Sequence, residues 1–130
     1  MKLIIGGAYQ GKTELAVKKY SLAEDDIEVC TADALPSFNK KCLAHTERFA
    51  YYCVKNGLEP REEIEKREQQ LENTVFIADD ISCGVVPMDK TDRAWREAEG
   101  RLMSYIASRS DEVTRVFCGL EQRLKPGAEK

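Results

Sequence analysis

The sequence has no long apolar run and no excess of positive charge. Its apolar stretches, such as residues 75–78, are far too short to cross a bilayer. The apolar segment at residues 3–5 is too short for a secretory signal. The 20 basic and 23 acidic residues give a formal net charge of −3, which is not the broad basic surface that nucleic acids require. We therefore expect a cytoplasmic protein with no membrane and no nucleic-acid partner.

Paired cysteines are also missing. The five cysteines are spread along the chain and none belongs to a CxxC pair, which disfavours a disulfide framework and a zinc site. Reduced, mostly buried thiols are expected instead. The length of 130 residues, with 42% hydrophobic residues, predicts one domain over residues 1–130 with one core.

Short apolar runs alternate with helical patterns along the chain. The apolar runs are bounded by turn residues and predict buried strands at residues 3–5, 27–30, 74–78 and 113–118. Helical periodicity predicts helices at residues 13–22, 37–55, 61–72 and 91–108. This order predicts an α/β fold, with a mostly parallel sheet of four or five strands and helices on both faces. Ligands of such sheets bind beyond the carboxyl ends of the strands.

One motif in this pattern has a specific chemical meaning. Between the first strand and the first helix, G-x-x-x-x-G-K-[ST] is matched without a gap by Gly6-Gly7-Ala8-Tyr9-Gln10-Gly11-Lys12-Thr13. In such a loop the backbone N–H groups and the helix N-terminus surround phosphates, and the lysine adds a positive charge. The alternative, a glycine-rich turn with an incidental lysine, does not explain why the motif joins a strand to a helix. We therefore expect a P-loop NTPase-like fold that binds a nucleoside triphosphate through these eight residues.

Two acidic residues follow the third predicted strand. Asp79 and Asp80 come directly after residues 74–78. A phosphate loop works with Mg²⁺ held by its own hydroxyl, here Thr13, and by a carboxylate at a neighbouring strand end. Either aspartate suits this role, and the alternative is that one caps the strand while the other is solvated. The sequence does not choose between them.

A longer segment resembles one enzyme family. Asp79-Asp80-Ile81-Ser82-Cys83-Gly84-Val85-Val86-Pro87 is similar to the Asn-Glu-Val-Gly-x-Gly-Ile-Val-Pro segment of the bifunctional adenosylcobinamide kinase/adenosylcobinamide-phosphate guanylyltransferase family of cobalamin biosynthesis. The helix that follows carries further matching residues, namely Arg93, Arg96-Glu97, Gly100-Arg101 and Ala107. The strand end at 116–119 and Lys125 also match, and the resemblance covers about the first thirty and the last fifty residues.

The resemblance implies a phosphotransferase or nucleotidyltransferase that uses ATP or GTP with Mg²⁺ and a corrinoid acceptor, cobinamide. It implies that His45, the single histidine, attacks GTP and carries GMP as a covalent intermediate. Lys12 and Asp80 are the other expected catalytic residues, and Thr31 and Asp33 are expected to contact the nucleotide. Charge-stabilising candidates are Arg93, Arg96 and Arg101. Because longer members form oligomers, a homo-oligomer is expected as well.

The chain also departs from this family. It is shorter, and only one strand is found in the interval where the family has a separate strand with its own acidic residue before its Glu-Val-Gly strand. Residues 37–55 read as one helix with His45 on its apolar stripe. The alternative to a nucleophile is therefore that His45 is a packed, hydrogen-bonded residue of the core. Two other functions stay open: a non-catalytic nucleotide-binding regulatory or assembly protein, and a kinase for another small alcohol. No NKxD-like motif chooses between ATP and GTP.

Overall fold

The computed structural model describes residues 1–7, 11–81 and 90–125. Within these ranges the chain forms a six-stranded sheet in the order β2-β3-β4-β1-β5-β6. The first five strands are parallel, and β6 pairs antiparallel with β5. The strands are β1 (Lys2–Gly6), β2 (Ile27–Val29), β3 (Cys42–Ala44), β4 (Val75–Asp79), β5 (Glu112–Phe117) and β6 (Leu120–Lys125). The helices are α1 (Lys12–Tyr20), α2 (Thr46–Lys55), α3 (Pro60–Glu65) and α4 (Lys90–Arg109), and a 3₁₀ turn lies at Glu24–Asp26.

Helices cover both faces of the sheet, as the strand–helix alternation predicts. Neighbouring residues of a strand point to opposite faces, so Leu3 and Phe76 pack in one cluster with α2, α3 and α4. Ile4 and Ile77 pack in a second cluster with Ala16 of α1. This arrangement is the expected three-layer α/β fold. None of the helices in the described part of the chain combines the length and apolarity needed to cross a membrane.

The long helix predicted over residues 37–55 is wrong in its first half. Residues 42–44 form β3, which lies between β2 and β4, and α2 begins only at Thr46. Cys42-Leu43-Ala44 resembles helix in sequence because leucine and alanine are good helix formers and three residues are too few to show a strand period. These three residues form a strand because they pair with strands on both sides and are fully buried. β3 is therefore an additional strand between β2 and β4 that was not predicted from the sequence.

Two other boundaries differ from the prediction. α3 ends at Glu65 rather than near residue 72, because the following turns use bonds three residues apart, such as Arg67 N–H to Ile64 C=O at 3.0 Å. β6 was not predicted, because it is a polar edge strand in which nearly every residue is exposed. It follows a tight hairpin in which Cys118 and Gly119 both have positive φ. The sheet thus has one more strand than the upper limit predicted.

The cysteines largely follow the expectation. Cys30, Cys42 and Cys53 are free and buried, and burial raises the pKa of each thiol to about 12. Cys118 is exposed at the β5–β6 hairpin, which corrects the expectation for that residue. Cys83 lies outside the described residues.

A buried polar contact ties α1 to β5. Glu112 is 7% exposed, accepts a hydrogen bond from the Tyr20 hydroxyl and pairs with Lys19 at 3.0 Å. Burial alone raises the pKa of Glu112, but these partners outweigh it and lower its pKa overall. The ionised carboxylate is therefore favoured in the folded chain.

Candidate active site

The phosphate-loop motif joins the carboxyl end of β1 to the start of α1. Gly6 is required there because a Cβ at this position would lie 2.4 Å from the Val116 carbonyl oxygen of β5. Gly11 has φ +81°, a left-handed conformation that favours glycine, and precedes the helix directly. Thr13 lies in the first turn of α1. Ala8, Tyr9 and Gln10 lie outside the described residues.

Lys12 connects the loop to β4. Its side chain is 6% exposed, and its Nζ lies 2.7 Å from Asp79 Oδ1 and donates a hydrogen bond of 2.6 Å to the Gly7 carbonyl. The backbone N–H of Asp80 donates to the Gly6 carbonyl at 2.7 Å, which holds the ends of β1 and β4 together. The structure therefore brings the predicted lysine and the predicted strand-end aspartates into one cluster.

Glu47 extends this cluster to the next strand along the sheet. It is 6% exposed, and its Oε1 accepts the Asp79 backbone N–H at 2.9 Å. Its Oε2 lies 2.8 Å from His45 Nδ1, and its backbone carbonyl accepts the Trp95 indole N–H of α4 at 2.8 Å. Sequence reasoning did not find Glu47, because the predicted helix over residues 37–55 placed it in mid-helix and off the apolar stripe, where a glutamate is usually solvated. Only the side-by-side position of β3 and β4 reveals its role.

His45 does not lie on the apolar stripe of a helix, so that expectation is wrong. It sits between β3 and α2 with φ 59° and ψ 50°, and its side chain is 33% exposed. A left-handed conformation is uncommon for a residue other than glycine, and such strain concentrates at functional sites. The end of β3 places the ring beside Asp79, with Nδ1 3.9 Å from Oδ2. A carboxylate oxygen only accepts, so Nδ1 is assigned as the donor in this contact, and in the neutral ring that assignment leaves the lone pair on Nε2.

The donor set at the strand ends suits a divalent cation. Asp79, Asp80 and Thr13 offer hard oxygen ligands of the kind that Mg²⁺ takes. One ligand atom each from His45, Glu47 and Asp79 lies within 4.8 Å of the others. The residues present therefore fit a metal ion at this edge of the sheet.

A second buried carboxyl lies near Asp79 and was not predicted. Glu99 of α4 is 4% exposed, and neither of its carboxyl oxygens has a hydrogen-bond partner among the described residues. Burial, together with the negative charges of Glu47, Asp80 and Asp79, raises its pKa well above the usual value. It lines a pocket of about 200 Å³ with Asp79 and Asp80. The sequence gives only a weak signal that Glu99 is buried, because the helical period places it next to the predicted stripe residue Ala98 and not on the stripe itself.

The remaining predicted residues lie at different distances from this cluster. Arg96 lines the same pocket as Glu99, whereas Arg93 is exposed on α4. Arg101 forms a bidentate ion pair with Glu59, with N···O distances of 2.8 Å and 3.0 Å, in a separate groove between α3 and α4. Thr31 and Asp33 are exposed beyond the end of β2. That strand is separated from β1 by three strand spacings, or about 14 Å.

The parallel sheet, the loop motif between β1 and α1, and the cluster at the strand ends define a P-loop NTPase-like α/β protein. A family model described as "Cobinamide kinase / cobinamide phosphate guanyltransferase" matches residues 25–124. The chain belongs to this family of phosphotransferases and nucleotidyltransferases. The match begins after the loop motif and includes residues 31–78, where the sequence resemblance was not seen. No curated protein matches the chain.

Proposed function

We propose that this protein phosphorylates cobinamide and transfers GMP to the resulting cobinamide phosphate, using one nucleotide site at the carboxyl ends of β1, β3 and β4. The observation that carries the proposal is the continuous set of contacts from Gly7 through Lys12, Asp79 and Glu47 to His45. It joins a phosphate-binding lysine to an oriented imidazole. Family membership supplies the substrates.

In the kinase reaction the protein mainly positions groups and offsets charge. The loop N–H groups and the N-terminus of α1 hold the triphosphate, and Lys12 exchanges its bond to Asp79 for one to the outer phosphates. Thr13 with Asp79 or Asp80 would hold Mg²⁺, which offsets phosphate charge when bound. Arg96 is the described arginine best placed to add positive charge, because it lines the pocket formed by Asp79 and Asp80.

In the guanylyl transfer the lone pair of His45 Nε2 attacks the α-phosphorus of GTP, and pyrophosphate leaves with the electrons of the broken P–O bond. The imidazole becomes positively charged, and Glu47 stabilises that charge through Nδ1–H. A phosphate oxygen of cobinamide phosphate then attacks the same phosphorus. The P–N bond breaks and its electron pair returns to Nε2, which restores neutral His45, and the product contains a pyrophosphate link between cobinamide and guanosine.

The nucleotide site is tested by Lys12→Ala, with Lys18→Ala on the exposed face of α1 as the matched control. We expect Lys12→Ala to weaken ATP and GTP binding at least about tenfold, since a charge-assisted bond is worth about 1.5–3 kcal/mol. Isothermal titration with Mg²⁺ present measures this. Equal affinities in the two variants would show that the triphosphate binds elsewhere.

The covalent step is tested by incubating the protein with GTP labelled at the α-phosphate. We expect an acid-labile labelled protein in the wild type and none in His45→Ala. When the label is placed on the γ-phosphate of GTP instead, the protein should stay unlabelled, because that phosphate leaves with pyrophosphate. A wild-type protein that binds GTP and yet forms no adduct would limit the protein to kinase activity or to nucleotide binding alone.

A further inference from the structure

A small pocket lies between the carboxyl end of β4 and helix α4. Its volume is about 200 Å³, and its apolar lining comes from Ile5, Ile81 and Met103. Its polar lining comes from the ionisable side chains of Asp79, Asp80, Arg96 and Glu99. The pocket therefore combines apolar and ionisable side chains, and it shares Asp79 with the Lys12 cluster.

Glu99 is the unusual member of this wall. Glu99 is only 4% exposed, and its two carboxyl oxygens have no hydrogen-bond partner in the described ranges. Buried polar groups in folded proteins are nearly always hydrogen-bonded, because leaving one unpaired costs free energy. An unpaired carboxyl on a pocket wall thus indicates that its partner comes from a ligand.

We propose that this pocket receives the hydroxyl-bearing end of the phosphate acceptor, with Glu99 as the hydrogen-bond partner of that end. The assignment rests on the proposed kinase function, because a kinase needs an acceptor hydroxyl beside its phosphate site. The pocket lies beside the phosphate site, since Asp79 lines the pocket and also contacts Lys12.

Charge and size both favour the acceptor over the nucleotide. The lining holds three carboxyl side chains against one guanidinium, a balance that disfavours a phosphate group inside the pocket, whereas an uncharged hydroxyl or amide can pair with a carboxyl. A volume of about 200 Å³ lies below the range of roughly 300–1,000 Å³ that holds a whole ligand. The pocket therefore suits the end of one side arm, while the bulk of a large acceptor such as a corrinoid stays outside it.

The test compares Glu99→Leu with Glu99→Gln, and uses Glu97→Gln, an exposed position on the same helix, as the control. Cobinamide binding is measured by equilibrium dialysis and read from its own visible absorbance, and nucleotide binding is measured separately. We expect Glu99→Leu to weaken cobinamide binding about tenfold or more, as for a lost hydrogen bond, with nucleotide affinity unchanged. Glu99→Gln, which still offers an acceptor and a donor, should stay within about threefold of the wild type, as should Glu97→Gln.

Wild-type cobinamide affinity in Glu99→Leu would overturn the assignment, and so would an equal loss of cobinamide and nucleotide binding. If the leucine variant does not fold, Glu99→Ala gives the same comparison without added bulk. Cobinamide that binds through Glu99 but is never phosphorylated would overturn the proposed function and leave the pocket assignment standing. Phosphorylation by Glu99→Leu with an unchanged KM for cobinamide would overturn the pocket assignment alone.

Discussion

Replacing Glu47 by glutamine tests the connection between the phosphate loop and His45. The two Glu47 carboxylate oxygens accept from two different donors, the Asp79 backbone N–H and His45 Nδ1. A glutamine of the same shape has one oxygen, so one donor would face an N–H₂ group instead. Losing a hydrogen bond to a charged acceptor costs about 1.5–3 kcal/mol, so we expect Glu47→Gln to lower the free energy of unfolding by about 2 kcal/mol.

Two measurements check this prediction. Urea unfolding gives the stability, with Glu62→Gln as the control, because Glu62 is exposed in the first turn of α3 and should change stability by no more than about 0.5 kcal/mol. The rate of GMP adduct formation should fall at least about tenfold, which corresponds to about 1.4 kcal/mol of lost stabilisation of the charged imidazole. Unchanged stability together with an unchanged adduct rate would refute the reasoning.

Three further predictions follow from the fold. Leu43→Ala should lower the free energy of unfolding by about 2–5 kcal/mol in a urea titration, because Leu43 is 1% exposed in β3, whereas Leu35→Ala at a partly exposed loop position should cost far less; similar costs would contradict the placement of β3. The pKa of Glu112 is lowered in the folded state, so Glu112 stabilises the protein above its unfolded value near 4.5, and that contribution disappears as the pH falls through the folded pKa. The free energy of unfolding, measured between pH 7 and pH 3, should therefore be lower for Glu112→Gln than for the wild type at pH 7, and the two values should converge in acid. A difference in stability that widens in acid would contradict this prediction. Among the four described cysteines, Cys118 alone should react quickly with a thiol reagent in the native protein, as read by peptide mapping, and rapid labelling of a buried thiol would argue against the core described above.

The sequence predicts those parts of the fold whose signal is local. β1, β4 and β5 are apolar runs with clear ends, and Gly6 and Gly11 mark a loop whose chemistry depends on spacing. β3 was missed because Cys42-Leu43-Ala44 is specified by its neighbours β2 and β4 rather than by its own pattern. Non-local pairing of this kind leaves little trace in three residues.

The same limit explains the parts of the site that were missed. His45 was identified by its residue type and order, but its position at a strand end follows from β3 and was predicted wrongly. Glu47 and Glu99 come from α2 and α4, and the fold brings both of them near Asp79. Glu99 could not be told from a solvated glutamate until the packing of α4 on the sheet was known.

Phosphate transfer to cobinamide tests the central claim most directly. The protein is incubated with cobinamide, Mg²⁺ and ATP or GTP labelled at the γ-phosphate, and the corrinoid products are separated and counted. We predict labelled cobinamide phosphate with the wild type and with Lys18→Ala, and none with Lys12→Ala. A nucleotide that binds in a Lys12-dependent way while no label reaches cobinamide would contradict the account.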